Sequence, residues 1–422
     1  MILTTVIASE ANICAIRKWL AVNCPRWSGF RISNVGKYLG FQMGPLGGEV
    51  QWKEPLEKLR VRTREIKTQN LPLAIAASRF AIRALPVLGY KAQLCPPPPL
   101  FSQLELWAAH KILGIPLALD LNAVFGLEIL GGTKIIRPSH YMRACMLRAA
   151  SKTIVGFDGM HDKLASIAGS GARCIDYARF DFRPPGWQAN AFATNLLLAT
   201  KGNGIGLDVH ANPIALRFAS LNAGNRIGLS ARQSKQSALY AFLQSLTPPN
   251  WHCTLNRKME AFDCLEDLAP FTSSDILLLA PALKKCGPRI AMSVIKSWAN
   301  AWTTSARMHE AYEFPCIFGC QGCEDDLEHY LVCDPLWTIV ISCSSGQSEL
   351  LHAGPHSKFG FPFSAHSIAW WKMLAIAFSC YHAIKMGHRD EVLFCSESGN
   401  FCQVLDRLLE YACVFSRELT DG

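Results

Sequence analysis

Four cysteines and one histidine lie close together between residues 316 and 333, in the segment CIFGCQGCEDDLEHYLVC. Their spacing is C-x3-C-x2-C-x5-H-x3-C, and the candidate ligands are Cys316, Cys320, Cys323, His329 and Cys333. Thiolates and imidazoles are the ligands that zinc prefers, and structural zinc sites use four of them in a tetrahedron. The pattern therefore predicts one structural zinc ion and leaves one candidate ligand over.

The spacing alone leaves the choice of ligands open. His329 and Cys333 are four residues apart, which places both on one face of a helix. The other two ligands are either Cys316 with Cys320 or Cys320 with Cys323. Two intervening residues form the tight turn common in zinc sites, so the spacing by itself favours the pair that contains Cys323.

Three acidic residues, Glu324, Asp325 and Asp326, come directly before the segment that contains His329. Asp325 or Asp326 is expected to cap the first turn of a helix there. Negative charges are also favourable at the N-terminus of a helix, because the helix dipole is positive at that end. These carboxylates are therefore expected to stabilise a helix rather than to take part in catalysis.

Length and composition limit the class of protein. A chain of 422 residues is long enough for two or three domains, and 50% hydrophobic with 18% charged residues excludes wholesale disorder. The 17 cysteines are odd in number and scattered along the chain, which indicates a reducing compartment. An intracellular location, nuclear or cytoplasmic, is expected.

Neither of the two most apolar segments predicts a membrane protein. The N-terminal apolar stretch is short and no basic residue precedes it, so a signal peptide is not expected. The segment IAWWKMLAIAFSCYHAIK, residues 368–385, has an internal lysine and a histidine, which favour a buried or amphipathic helix. No membrane partner is expected.

The net charge of +9 belongs entirely to the first quarter of the chain. Residues 1–119 contain 15 Lys and Arg residues against six Glu and no Asp, whereas the remaining residues have 27 basic and 27 acidic groups. A local excess of this size suggests a polyanion such as RNA, DNA or an RNA/DNA hybrid as the partner. An ordinary solvated basic surface is the simpler alternative.

The basic excess is concentrated on one predicted helix. In KEPLEKLRVRTREIKTQ, which begins at residue 53, apolar and small residues recur at helical spacing while basic residues form an adjacent face. The candidate phosphate-binding residues of this helix are Lys58, Arg60, Arg62, Arg64 and Lys67.

The remaining patterns predict a mainly α fold with a small N-terminal β portion, in the α+β class. FRISN and KYLGFQMGP contain the β-forming residues of short strands before residue 52. Further helices follow up to residue 119, with a rigid break at CPPPP, and helical segments separated by Gly, Pro and Asn clusters continue to residue 422.

Three stretches together resemble the C-terminal portion of a non-LTR retrotransposon reverse transcriptase. GKYLGFQMGP is similar to the primer grip, FAIRALPVLGYKAQLCPPPPL through AAHKILGIP to the thumb, and NAWTTSARMHE with CIFGC, DDLEHYLVC and PLW to the downstream zinc finger. The resemblance implies Lys37, Tyr38, Leu39 and Gly40 as primer-grip residues. It implies the zinc ligands Cys316, Cys320, His329 and Cys333, and it leaves Cys323 outside the set.

The resemblance also implies five segments and a limited activity. The segments are the end of the palm with the primer-grip strands (1–52), a basic helical thumb (53–119), a helical connector (120–305), the zinc finger (306–345) and a C-terminal helical segment (346–422). The polymerase chemistry of this family needs palm carboxylates that bind two Mg²⁺ ions. The chain has no Asp before Asp120. We therefore expect a truncated polymerase that is inactive alone, with magnesium relevant only if a palm precedes it.

Two alternatives remain at this level. The chain could be a helical protein-interaction module with a structural zinc and no role with nucleic acid. An enzyme of another class is less favoured, because the sequence has no G-x-S-x-G elbow, P-loop or H-E-x-x-H motif. The Asp158, His161 and Asp162 cluster and the glycines of residues 202–210 are expected to form turns.

Overall fold

The computed structural model of the chain describes residues 2–3, 7–44, 46–93, 95, 98, 101–115, 119–153, 236–237, 240–241, 243–245, 247–311, 314–343, 353–364, 366–387 and 414. The chain divides into two compact units, the first comprising residues 1–112 and 136–248 and the second residues 113–135 and 249–422. The division into five segments stays a prediction.

The first unit combines short strands with helices. The strands are β1 (Ile2–Leu3), β2 (Ile32–Ser33), β3 (Gly36–Tyr38) and β4 (Phe41–Met43). The helices are α1 (Glu10–Asn23), α2 (Gly47–Val50), α3 (Lys53–Thr68), α4 (Leu73–Arg79), α5 (Leu85–Ala92), α6 (Phe101–Leu113) and α8 (Pro138–Thr153). Strands β1 and β2 pair in parallel, and β3 and β4 form an antiparallel hairpin.

The core of the first unit forms where α3 and α5 pack together. Leu59 and Ile66 of α3 are buried with Leu88 of α5, and removing each such side chain from water stabilises the fold by about 2 kcal/mol. At Gly89 the helix α5 passes so close to α8 that an added Cβ atom would lie 2.6 Å from the Tyr141 ring. The helix predicted from residue 53 is confirmed.

Helices α4 and α5 join through a π-helical turn, Phe80–Ala84, into one continuous helical run. Among the described residues this run, Leu73–Ala92, is long and apolar enough to cross a membrane. One helix of this kind is weak evidence, because core helices of water-soluble proteins meet the same criterion. The expectation that the chain has no membrane partner stays a prediction.

The second unit is helical around an aromatic core. Its helices are α7 (Leu121–Val124), α9 (Trp251–Met259), α10 (Ser273–Lys285), α11 (Pro288–Trp298), α12 (Ser305–Met308), α13 (Leu327–Val332), α14 (Asp334–Cys343), α15 (Pro355–Lys358) and α16 (Ser367–Gly387). Trp298 of α11 is fully buried and its indole N–H donates to the carbonyl oxygen of Phe359 at 3.2 Å. The edge of the Trp371 ring of α16 packs against Trp298, with the ring centroids 6.3 Å apart.

The described residues confirm a mainly helical protein with a small N-terminal β portion. The apolar segment 368–385 forms α16, most of which is buried, as its pattern predicts. The helical segments predicted between residues 154 and 235 and the turns predicted around Asp158 and at 202–210 lie outside the described residues. The assignments of a thumb and a connector stay predictions.

Candidate metal centre

A short antiparallel bridge positions the first two candidate ligands. Pro315 pairs with Glu324, and the amide N–H of Cys316 donates to the carbonyl oxygen of Cys323 at 2.8 Å. The loop between the two bridged residues contains Gly319 and Gly322, both at positive φ, 89° and 69°. Glycine adopts this conformation at little cost, so the chain can turn tightly enough to bring Cys320 back toward Cys316.

Helix α13 supplies the other two candidate ligands. It begins after Asp326, whose carboxylate accepts a hydrogen bond from the Glu328 amide at 3.1 Å and so caps the first turn. His329 lies in this helix, and Cys333 is the residue at which the helix ends. The predicted cap is present, whereas Cys333 directly follows the six-residue helix and does not lie on its face.

The four side chains converge on one point. The ligand atoms of Cys316, Cys320, His329 and Cys333 all lie within 4.8 Å of one another. The Cys333 sulfur is 3.8 Å from the Cys316 sulfur and 3.7 Å from the Cys320 sulfur. Sulfur atoms bound at about 2.3 Å to one tetrahedral zinc ion are separated by about 3.8 Å. The observed separations therefore suit a tetrahedral metal site.

Two further features fit a bound cation. The Nε2 atom of His329 is buried and has no hydrogen-bond partner among the described residues. A hydrogen bond from the Cys333 thiol lowers the pKa of the Cys316 thiol, and the pKa of Cys333 is raised because its proton is held by the neighbouring sulfur. Burial raises the pKa of Cys320 to about 11. A divalent cation would displace these shared protons and neutralise the thiolates.

Cys323 is not one of the four converging residues. The spacing argument favoured Cys323, whereas the structure gathers the set that contains Cys316. The physical reason is local: the cross-strand hydrogen bond fixes Cys316 in the buried part of the loop, and Cys323 remains partly exposed. The Cys3His cluster could hold a metal ion such as zinc.

A buried acidic residue beside this cluster was missed by the sequence analysis. Asp325 is fully buried and accepts hydrogen bonds from the Ser305 amide at 2.8 Å, the Tyr330 hydroxyl at 2.7 Å and the Tyr381 hydroxyl at 3.1 Å. The ammonium group of Lys385 also donates to it. Asp325 therefore joins the segment of the cluster to α16, whereas the sequence indicated only a helix cap.

The predicted phosphate-binding residues all lie on α3 and reach the surface, but most have partners. Lys58 pairs with Glu54 at 2.6 Å and Arg60 with Glu57 at 3.5 Å. The Arg62 guanidinium donates to the carbonyl oxygen of Arg83, and the Arg64 guanidinium lies 5.9 Å from the centre of the Trp107 ring. Lys67 is exposed near the end of α3.

The predicted primer-grip residues form the tip of the β3–β4 hairpin. Lys37 and Tyr38 end β3, and Leu39 and Gly40 make the two-residue turn with φ of 45° and 84°. Positive φ at both central residues is typical of the type I′ hairpin turn. Tyr38 and Leu39 are exposed at 65% and 70%.

Side chains of helix α5 and of Gln51, the residue after α2, form hydrogen bonds with this hairpin. The ammonium group of the buried Lys91 donates to the Gly40 carbonyl and, at 3.0 Å, to the side-chain oxygen of Gln51. The Tyr90 hydroxyl donates to the Leu39 carbonyl. Burial lowers the pKa of Lys91. Because both backbone carbonyls are fixed, the exposed tip has a defined position.

No protein-family model matches the chain, and no curated protein matches it in sequence. The resemblance to a non-LTR retrotransposon reverse transcriptase therefore stays a prediction.

Proposed function

We propose that this chain binds RNA, DNA or an RNA/DNA hybrid through the basic surface of its first unit, and that a structural zinc ion stabilises its second unit. In this proposal the chain is the C-terminal portion of a non-LTR retrotransposon reverse transcriptase, with primer grip, thumb and zinc finger. It has no polymerase activity alone, and magnesium would be needed only for a palm.

One observation carries the nucleic-acid proposal. Of the 15 Lys and Arg residues among residues 1–119, only Lys91 is buried. A cationic surface with so few acidic groups attracts a polyanion, and the counterions released from the phosphates supply much of the affinity. Contacts of this kind position a backbone without specifying bases, so little sequence preference is expected.

The acidic residues of α3 limit where a phosphate backbone can lie. A groove of about 780 Å³ runs beside this helix and is lined by Glu54, Glu57 and Glu65 together with basic residues. Hydrogen bonds from Lys58 and then Lys37 lower the pKa of Glu54 to about 2, so this carboxylate stays charged at neutral pH. The phosphate backbone is therefore expected to follow Arg60, Arg64 and Lys67 rather than this groove.

Zinc is the metal that best fits the cluster. Three thiols and one imidazole are soft or borderline ligands, whereas Mg²⁺ and Ca²⁺ prefer oxygen. The residues that would hold zinc are Cys316, Cys320, His329 and Cys333. A site with four protein ligands is closed, which is typical of structural zinc, so the ion would stabilise the fold rather than bind a substrate.

Charge reversal tests the nucleic-acid proposal. We expect the triple variant Arg60→Glu, Arg64→Glu and Lys67→Glu to bind a fluorescent RNA/DNA hybrid at least tenfold more weakly than the unmodified chain. Fluorescence anisotropy at several salt concentrations should also give a shallower salt dependence, because each lost phosphate contact removes about 0.9 from the slope of log K against log salt.

The matched control reverses three exposed lysines of the second unit, Lys284, Lys285 and Lys372. It changes the net charge by the same amount and should leave most of the affinity intact. Equal weakening by both variants would point to net charge alone. Salt-independent binding, or no binding of the hybrid by the unmodified chain, would overturn the nucleic-acid proposal and favour the protein-interaction module.

Single substitutions test the ligand set. Native mass spectrometry should find one zinc ion per chain, lost in Cys316→Ser and kept in Cys323→Ser. Zinc retained by the first variant and lost by the second would reverse the assignment. The absence of zinc from the unmodified chain would contradict the metal centre.

A further inference from the structure

Cys323, the cysteine outside the converging set, lies opposite the candidate metal ligand Cys316. The amide of Asp325 donates to the carbonyl oxygen of Phe314 at 2.8 Å, Pro315 pairs with Glu324, and the amide of Cys316 donates to Cys323 at 2.8 Å. The same register places Cys323 opposite Cys316, and the two residues are joined by this one backbone hydrogen bond. Directly opposed residues of antiparallel segments have side chains on the same face and Cα atoms about 4.5 to 5.5 Å apart.

This separation is suitable for a covalent bond between the two sulfurs. Disulfides join cysteines whose Cα atoms are about 4.4 to 6.8 Å apart, most often 5.5 to 6 Å. Cys316 and Cys323 therefore need a change of side-chain rotamer, without a rearrangement of the strands, to bring their sulfurs together. The two glycines of the intervening loop, Gly319 and Gly322, leave the backbone free to adjust.

The two cysteines differ in how a reagent can reach them. Cys316 is fully buried, and so is Cys333, whereas Cys323 is partly exposed and stands outside the converging set. A small oxidant from solution would meet Cys323 first, because its thiol is neither buried nor bound to the metal. Exposure makes a thiol susceptible to oxidation, and redox-sensor cysteines often lie next to a second cysteine that forms the disulfide.

We propose that Cys323 is an oxidation site of the finger, at which a hydroperoxide converts the thiol into a disulfide with Cys316 and thereby expels the metal. The inference rests on the proposed zinc centre. The inference assigns reversible oxidation to Cys323, the cysteine that is not one of the four proposed zinc ligands.

The two steps balance in atoms and electrons. The Cys323 thiol attacks the hydroperoxide, the O–O bond breaks, and sulfenic acid forms with release of an alcohol, or of water from hydrogen peroxide. The Cys316 thiolate then leaves the metal and attacks the Cys323 sulfur. The S–S bond forms, the S–O bond breaks, and the departing hydroxide takes a proton to become water.

The remaining ligands bind the metal more weakly. After the second step Cys320, His329 and Cys333 are left, and a three-ligand site lacks the closed tetrahedron of structural zinc. A dithiol reductant breaks the disulfide and restores the fourth ligand. The finger would therefore lose its metal under peroxide and regain it on reduction.

The experiment uses the zinc-loaded full chain and hydrogen peroxide. Zinc release is followed with a chromogenic chelator, and after blocking of free thiols the disulfides are mapped by mass spectrometry. The unmodified chain should release zinc and contain a Cys316–Cys323 disulfide. Cys323→Ser should release zinc at least tenfold more slowly, and dithiothreitol with added zinc should restore occupancy in the unmodified chain.

Cys253→Ser is the matched control, because Cys253 is an exposed cysteine of the same unit. This variant should release zinc as the unmodified chain does. Equal release from Cys323→Ser, or a disulfide that joins two of the four ligands instead, would overturn the inference while leaving the zinc centre in place. A chain that contains no zinc before oxidation would overturn both.

Discussion

At the scale of single residues, Asp325 is a buried carboxylate that links several segments through hydrogen bonds, although both of its neighbours in the sequence are also acidic. It has no exposed surface, and four donors surround its two oxygens. Lys385, which is also buried, lies with its ammonium group 4.5 Å from the centre of the Phe314 ring. A buried carboxylate needs this many partners, because the loss of hydration is offset only by hydrogen bonds and an opposite charge.

Replacing this carboxylate should be costly. We expect Asp325→Asn to lower the free energy of unfolding by about 3 kcal/mol, because it leaves the buried charge of Lys385 with only the more distant carboxylate of Glu310, at 4.0 Å. Chemical denaturation measures this difference. The neighbouring change Asp326→Asn is the control, since asparagine caps helices about as well as aspartate and the expected loss is below about 0.5 kcal/mol. Similar stability of both variants would contradict the structural role of Asp325.

The sequence alone predicts the metal ligands only in part. The five candidate ligands were apparent from their spacing, but spacing favoured Cys323, and only the family resemblance pointed to Cys316. The hydrogen bonds that bury Cys316 could not be inferred from spacing. The hydrogen-bond partners of Asp325 could not be inferred from the sequence either, because Ser305, Tyr381 and Lys385 are 20, 56 and 60 residues away in the chain.

At the scale of elements, the β3–β4 hairpin combines an exposed tip with a constrained turn. Leu39 has a φ of 45°, which is unfavourable for a residue with a side chain, while Gly40 has a φ of 84°. An added Cβ at Gly40 would lie 3.1 Å from the Tyr90 ring. The turn therefore requires glycine at its second position. Leucine at the first position makes the folded chain less stable than a residue that adopts positive φ easily.

Substitutions in this turn should have opposite effects on stability. Gly40→Ala is expected to destabilise the chain by about 1–2 kcal/mol, because L-residues disfavour positive φ. Leu39→Asn should stabilise it by a few tenths of a kcal/mol, since Asn-Gly is the preferred type I′ pair. Thermal denaturation compares the two. If Leu39→Asn also weakens hybrid binding while raising the melting temperature, the exposed leucine contacts the nucleic acid.

A second element of the first unit should make its stability depend on pH. His140 of α8 is buried, and burial together with the charges of Arg137 and Arg143 lowers its pKa to about 3. The Nδ1 atom of His140 lies 3.0 Å from the side-chain oxygen of Gln244. Because the folded pKa is below the value of about 6.5 in an unfolded chain, the unfolded state binds more protons between these two pH values.

The neutral histidine therefore contributes its full stability above pH 6.5, and this contribution falls as the pH is lowered toward 3. At pH 5.5 the loss should be about 1.4 kcal/mol. The measurement is the difference in unfolding free energy between the unmodified chain and His140→Gln at a series of pH values. A constant difference over this range would show that His140 is not held in its neutral form.

The elements were predicted with uneven success, for physical reasons. The spacing of Leu59, Thr63 and Ile66 identified α3 because its buried face repeats every turn. The two-residue turn at Leu39 was not predicted, since leucine has no preference for positive φ. Its conformation depends on Tyr90 and Lys91 of α5, about fifty residues later in the chain.

At the scale of the whole molecule, the sequence indicated several domains, and the chain divides into two compact units, each built from two separated stretches. No pattern along the sequence shows that residues 113–135 belong with residues 249–422. One link within the second unit is the hydrogen bond from the Thr254 hydroxyl to Asp120 at 2.9 Å. Another is the indole N–H of Trp251, which donates to Gly126 at 3.3 Å. Such contacts follow from tertiary packing, which local periodicity does not encode.

The position of all four candidate ligands in the second unit predicts a localised response to chelation. Metal binding at a small site is coupled to its folding, and a ligand at 1,000 times its dissociation constant stabilises the folded state by about 4 kcal/mol. A strong chelator should therefore speed amide hydrogen exchange in residues 314–343 and leave helix α3 of the first unit unchanged. Hydrogen exchange with mass spectrometry resolves both regions in one experiment. In Cys316→Ser, which should contain no zinc, the chelator should have no further effect. Protection of residues 314–343 that persists in the chelated chain would mean that Asp325 and the aromatic core keep this segment folded without a metal.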